Sequence, residues 1–191
     1  MLTDSQLYPA AGASAVVSAI ALVISGVALA LFFGGAGAFW GPVNDMFLVV
    51  TVLALILPIL AVDRLAAQQG VGWMRFVSIA TILGVVVIAI GQTALVLGML
   101  TLDGSYVTGS IGFIAIIVWL VALPVLAFGS GVLPSTVGWA ALAVLLLIVV
   151  EAVVVMASMG PLVAIASVAL LAALAVWLWT LSSTLLSRSV A

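Results

Sequence analysis

The sequence contains no cysteine and no histidine among its 191 residues. Without cysteine, the chain forms no disulfide and offers no thiolate to a substrate or a zinc ion. Without histidine, it has no Ser-His-Asp triad and no histidine ligand for haem or chlorophyll. We therefore expect no cofactor, no metal site and no enzymatic activity.

Lysine is absent as well, since the three basic residues are all arginine. No Schiff base to retinal or pyridoxal phosphate can form without a lysine. Binding to a nucleic acid requires clustered lysine and arginine side chains. Three basic residues exclude nucleic acid as a partner.

Charged residues of both signs are scarce, at 4% of the chain, whereas hydrophobic residues make up 68%. A soluble domain carries about 25% charged residues. This composition predicts an integral membrane protein that is surrounded by lipid.

Six apolar stretches are joined by short connections rich in glycine, serine and proline. They predict an all-α fold, a single domain in which six transmembrane helices with short loops form a bundle of antiparallel neighbours. The first stretch is too long for a signal peptide and follows no basic residue, so we expect it to be retained. The expected spans are residues 13–33, 45–62, 73–100, 111–128, 137–156 and 162–181.

The arginines predict the orientation. Arg64 and Arg75 flank the second connection and Arg188 follows the last span, so six spans place all three on one side. Basic residues favour the cytoplasm, which predicts a multi-pass protein of the plasma membrane with both termini cytoplasmic. Asp63 and Arg64 are expected to form an exposed ion pair there. Four tryptophans are expected at the same interface, namely Trp73, Trp139, Trp177 and Trp179.

Small residues mark the expected helix contacts. Gly84, Gly91 and Gly98 recur every seven residues in the third span, which we interpret as the central helix. Ser14, Ser18 and Ser25 share a stripe with alanines on the first span. We expect that stripe to pack closely, with each serine bonding back to its own helix.

Two prolines and a possible repeat lie in the second and fourth spans. Leu57–Ala61 resembles Leu123–Ala127, and Val71–Trp73 resembles Val137–Trp139 at the same offset of 66 residues. Either a parallel internal repeat or chance explains this match. In both cases Pro58 and Pro124 should bend their helices.

A family resemblance rests on the segments Gly112–Leu120, Gly131–Pro134 and Gly138–Trp139. They resemble a broad group of six-span bacterial and archaeal membrane proteins without an assigned function. In that group a Gly-rich fourth span leads to a Leu-Pro turn and a Gly-Trp start of the fifth span. The resemblance covers about a fifth of the chain and implies a fold, but no activity.

Three polar residues are candidates for a ligand or proton site: Glu151, Gln92 and Thr51. Glu151 is the one ionisable residue well inside a predicted span, about 10 Å from the outer surface. A charged carboxylate at that depth costs a few kcal/mol, so we expect it to face the bundle and to be protonated or paired. Gln92 and Thr51 lie at similar depths, as do Ser25, Trp119 and Ser167.

Two interpretations of this polar layer remain open. The layer either lines a small pocket around Glu151 and Gln92, or these two side chains form a hydrogen bond that fastens the helices together. Asp45 and Asp103 lie at helix ends, where they cap helices or, alternatively, bind a cation.

Three classes of function remain. The first is a non-enzymatic accessory or structural subunit that packs with other membrane proteins, with copies of itself, with lipids or with apolar pigments. The second is a small proton-coupled transporter that uses Glu151. The third is an enzyme acting on lipid, which the scattered acids support least.

Overall fold

The structure, a computed structural model, describes residues 2–188 apart from the side chains of residues 160 and 161. Within these residues the chain folds into α-helices and one π-helical segment, without strands. Six stretches are long and apolar enough to cross a membrane, which confirms the all-α six-span fold. The helices are α1 (Asp4–Phe33), α2 (Trp40–Ala54), α3 (Ile56–Gln68), α4 (Met74–Val96), α5 (Leu102–Pro124), the π segment (Val125–Gly129), α6 (Ser135–Met156) and α7 (Gly160–Ser187).

The spans are arranged as a ring in sequence order. The helices α2 and α3 together make the second span, and α5 with the π segment makes the fourth. Each span packs against the one before it and the one after it, and α7 returns to pack along α1. The short connections explain this order, because they leave consecutive helices as antiparallel neighbours.

Several helices extend beyond the apolar stretches. The helix of the first span, α1, begins at Asp4 instead of residue 13. The helix of the fourth span, α5, begins at Leu102 instead of residue 111. Polar side chains satisfy the free amides of these added turns: Gln6 accepts a hydrogen bond from the Thr3 amide at 3.2 Å, and Thr101 accepts one from the Gly104 amide at 3.3 Å. Hydropathy detects the hydrocarbon-facing part of a helix and misses such capped ends.

Both prolines of the proposed repeat lie near an irregular backbone. Pro58 follows a break at Leu55 between α2 and α3, and Pro124 precedes the π segment. The two halves of the repeat differ elsewhere, because Gly72 lies before α4 whereas Gly138 lies inside α6. The resemblance of the two segments therefore does not extend to where their following helices start.

Glycines allow α4 and α5 to approach closely. A Cβ atom at Gly84 would lie 2.6 Å from Cβ of Ala115, and one at Gly91 would overlap the side chain of Thr108. The prediction for Gly98 is wrong, because α4 has already ended there and Gly98 adopts a left-handed φ of 69° in the turn that follows. Two of the three predicted glycines thus make the helix contact.

The serines of α1 bond to neighbouring helices, so the expectation that they bond to their own helix is wrong. Ser14 donates to the carbonyl oxygen of Ala54 at 2.6 Å, and Ser18 donates to that of Thr51 at 2.9 Å. On the other side of α1, Ser182 of α7 donates to the carbonyl oxygen of Gly12 at 2.8 Å. These bonds hold α1 between its two neighbours.

All three arginines lie at one end of the bundle, which we call the arginine end. Arg64 pairs with Asp4 at 3.0 Å, and Arg75 pairs with Asp63 at 3.1 Å. The expected exposed pair of Asp63 with Arg64 is therefore wrong, since successive helical residues do not face each other and Asp63 is buried. Arg188 donates to the carbonyl oxygen of Val132 at 3.4 Å, in the connection before α6.

Candidate functional site

Glu151 lies on the stripe of α6 that faces the interior of the bundle. Val137 and Val144, which precede it at intervals of seven residues, are fully buried. Glu151 itself is half-buried. It lies in the segment Leu145–Met156, in which no residue is fully buried. The carboxyl group therefore faces inward at a level where α6 is incompletely covered.

Ser167 of α7 is the partner of Glu151. Its hydroxyl donates to Oε1 of Glu151 at 2.5 Å, a distance typical of a strong hydrogen bond to a carboxyl group. Within residues 2–188, Glu151 forms no ion pair, and the arginines lie at the other end of the bundle. The hydroxyl of Ser167 is thus the stabilising contact for an acid within the apolar layer.

Gln92 lies on α4, and α4 packs mainly against α2, α3 and α5. Its Oε1 atom is buried and has no hydrogen-bond partner among the described residues. No hydrogen bond joins Gln92 to Glu151 in this part of the chain, so the expected bond between these two side chains is not formed. Gln92 instead leaves an unsatisfied acceptor in the bundle.

Thr51 connects α2 to α1 through its backbone. Its hydroxyl donates to the carbonyl oxygen of Phe47 on the same helix at 2.8 Å, while its own carbonyl accepts from Ser18. Because both polar groups are used inside the bundle, Thr51 is a packing contact. The structure does not bring it into a shared site with Glu151.

Asp45 and Asp103 lie near helix N-termini at the end of the bundle opposite the arginines. Ser25 donates to Oδ1 of Asn44 at 2.8 Å, and the Asn44 amide donates to Asp45 at 3.0 Å. Asp103 lies in the first turn of α5, where the partial positive charge of the helix N-terminus stabilises a carboxylate. Among the described residues no three potential ligands cluster around a point that would hold a metal ion.

Sequence reasoning missed a buried pair of tryptophans. Trp119 of α5 and Trp177 of α7 are fully buried and pack edge to face, with ring centroids 5.7 Å apart. The expected interfacial position of Trp177 is therefore wrong, whereas Trp179 lies exposed on the lipid-facing side. Within residues 2–188 neither indole N–H has a hydrogen-bond partner. The position of Trp119 near the middle of the expected span 111–128 was the available signal, because membrane tryptophans favour the interfaces.

Two shallow grooves mark the lipid-facing surface. One, of about 450 Å³, lies between α1 and α7 and includes Ile20, Val23 and Trp179. The other, of about 410 Å³, lies between α2 and α4 and includes Leu53, Ile90 and Leu97. Both are lined almost entirely by apolar side chains, which suits an acyl chain, an isoprenoid chain or an apolar helix face.

No known protein family, curated protein or solved structure matches this chain.

Proposed function

We propose that this six-span membrane protein is a non-enzymatic subunit that packs with other membrane proteins, with lipids or with apolar pigments. The observation that carries the proposal is the distribution of its polar groups. Several serine and threonine hydroxyls inside the bundle bond to helix backbones, as Ser14, Ser18, Thr81 and Ser182 do. Such bonds hold helices together and leave few groups for chemistry on a substrate.

The outer surface supports the same proposal. Large apolar side chains cover the lipid-facing sides of the helices, and the two grooves interrupt this surface. Apolar side chains and shallow grooves on the lipid-facing side are suited to contacts within the membrane. Partner helices, other copies of the chain and lipid or pigment chains are the candidate occupants.

Co-purification tests this function. The tagged full chain, extracted from its native membrane in mild detergent, should carry a second protein or a pigment at fixed stoichiometry. Val23→Trp, which fills the groove between α1 and α7, should reduce that recovery, whereas Val153→Trp on the lipid-facing side of α6 should not. A chain recovered alone, with bulk lipid in varying amounts, would contradict the proposal.

The orientation is part of the proposal. We infer that the arginine end lies in the cytoplasm of a plasma-membrane protein, since basic residues favour that side. The chain lacks cysteine, so single cysteines report accessibility directly. An impermeant maleimide added to intact cells should label Met99→Cys and leave Gln69→Cys unlabelled, and the reverse pattern would overturn the orientation.

Proton-coupled transport through Glu151 is the second candidate. Its support is the inward-facing, half-buried carboxyl group with a single hydrogen-bond partner within the described chain. Vesicles containing the protein and an enclosed pH-sensitive dye should then conduct protons under an imposed gradient, and Glu151→Gln should abolish the flux. Equal flux in vesicles of both proteins and in empty vesicles would remove this candidate.

A further inference from the structure

The inward face of α6 loses its cover towards the end of the bundle opposite the arginines. Val137, Val144 and Val155 lie on one stripe of the helix, and Val144 is 0% exposed. Val155, three turns further on, is 52% exposed. Ala141 and Ala152 repeat the pattern, since the first is fully buried and the second is exposed. Side chains that would continue the core are therefore uncovered in this half of α6.

One side of α5 shows the same change towards this end. Leu120, Phe113 and Tyr106 recur every seven residues along α5, and their exposed fractions rise from 1% to 43% and 70% towards the same end. Near the arginine end the two spans touch, because a Cβ atom at Gly138 would lie 2.7 Å from Cβ of Ala127. The loss of cover on both spans indicates that α5 and α6 separate towards the opposite end and leave an apolar opening between them.

Glu151 lies at the level of this opening, since Val155 follows one turn further along the same side of α6. Its Oε1 atom is bonded to Ser167, and within residues 2–188 its second oxygen receives no hydrogen bond. The three arginines of the chain all lie at the arginine end, and there is no lysine. The chain thus presents an acid within the apolar layer and supplies no cation to it.

We propose that the opening between α5 and α6 receives a transmembrane helix of a partner protein, and that this helix carries a lysine or arginine at the depth of Glu151. The inference rests on the proposed subunit function and names the surface and the chemistry of the partner. An apolar helix covers Phe113 and Val155, and its cation neutralises the carboxylate. Acids and bases within membranes are paired in this way because each alone is costly in hydrocarbon.

A synthetic transmembrane helix tests the proposal with the full chain in lipid nanodiscs. The probe is a Leu/Ala helix of about 20 residues, the length that spans a bilayer, with one lysine placed about 10 Å from its outer end. Matched probes carry leucine or glutamate in its place. A donor dye on Met159→Cys and an acceptor dye on the probe report binding by energy transfer.

The lysine probe should bind at least tenfold more tightly than the leucine probe, and the glutamate probe should bind more weakly than both. Glu151→Gln should reduce the preference for lysine to within about twofold. Ala152→Phe should block all probes by filling the opening, whereas Leu146→Phe, on the lipid-facing side of the same helix, should leave binding unchanged. The Ala152→Phe result does not depend on how well Glu151→Gln folds.

Equal binding of the three probes, or a lysine preference that survives in Glu151→Gln, would overturn the proposal. Energy transfer between two labelled copies of the chain that Ala152→Phe abolishes would also overturn it, since a second copy would then occupy the opening. If a native partner co-purifies equally with wild type, Glu151→Gln and Ala152→Phe, the docking surface is wrong and the subunit function stands. If the lysine probe binds as expected while no native partner co-purifies, the subunit function is wrong instead.

Discussion

The hydroxyl of Ser14 donates to the carbonyl oxygen of Ala54 at 2.6 Å. Ala54 lies four residues before Pro58, so its carbonyl oxygen has no helical backbone amide to bond to. In a regular helix the amide of residue 58 would bond to that carbonyl, but proline has no amide hydrogen. A side chain of α1 therefore donates the hydrogen bond to Ala54 that the backbone of α2 and α3 cannot provide. Membrane helices tolerate proline where a neighbouring side chain satisfies the freed group in this way.

This relationship predicts coupling between Ser14 and Pro58. Ser14→Ala should lower the free energy of unfolding by about 1 kcal/mol, the scale of a side-chain hydrogen bond in a membrane protein. In a Pro58→Ala background the same change should cost less, because the amide of residue 58 can then bond to Ala54. A double-mutant cycle in mixed detergent micelles measures the difference. Equal costs in both backgrounds would show that the hydroxyl does not replace the missing amide.

The contact between α4 and α5 predicts opposite effects for two identical substitutions on α5. A Cβ atom at Gly112 would overlap the carbonyl oxygen of Gly84 and the side chain of Ile88, whereas one at Gly109 meets nothing within 4 Å. Gly112→Ala should destabilise the protein by about 1–3 kcal/mol through overpacking. Gly109→Ala should be neutral or stabilise by up to about 1 kcal/mol through its helix propensity. Denaturation by a harsh detergent should rank the two variants on either side of wild type, and the reverse order would contradict the close approach.

Neighbouring tryptophans should differ sharply in their contribution to stability. Trp177 is fully buried against Trp119, and Trp179 is exposed on the lipid-facing side. Trp177→Ala removes the buried ring and should cost about 3 kcal/mol or more, because a cavity remains in the core. Trp179→Ala should cost less than about 1 kcal/mol, since lipid fills the space. Thermal unfolding followed by circular dichroism compares them, and similar shifts in Tm would indicate that Trp177 is not in the core.

The two ion pairs of the arginine end predict an asymmetry between two arginines of similar exposure. The carboxylate that pairs with Arg75 belongs to the buried Asp63, whereas Arg64 pairs with the more exposed Asp4. Arg75→Ala should destabilise by about 2 kcal/mol, below the value for a fully buried pair, because it leaves the Asp63 carboxylate without its cation. Arg64→Ala should cost less than about 1 kcal/mol, as for a surface pair.

The double variant Arg75→Ala/Asp63→Asn provides the control for this pair. It removes the unpaired charge and should recover much of the stability that Arg75→Ala loses. Detergent denaturation of all four proteins gives the comparison. If Arg64→Ala were as costly as Arg75→Ala, burial of Asp63 would not be the source of the difference.

The six spans and the two ends of the bundle were predictable from the sequence because charges are excluded from hydrocarbon. The turn residues marked the connections between spans, and the three arginines marked one end of the bundle. Gly84 and Gly91 were predictable as contacts, since small residues allow helices to approach each other in lipid. The irregularities beside Pro58 and Pro124 followed from proline chemistry alone.

The direction in which each side chain faces was much harder to predict. In a soluble helix polar residues mark the outward side, but here lipid and core are equally apolar. Trp177 and Trp179 therefore look equivalent in the sequence, although they lie on opposite sides of α7. For the same reason Gln92 and Glu151 were matched by depth, whereas the partner of Glu151 proved to be Ser167.

The hydrogen bond from Ser182 to Gly12 joins the last helix to the first. The ribosome makes α1 long before α7, so the first helix enters the membrane without one of its two neighbours. Until α7 has been made, the side of α1 that carries Gly12 faces lipid or the insertion machinery. The bundle therefore reaches its final form only after α7 has entered the membrane.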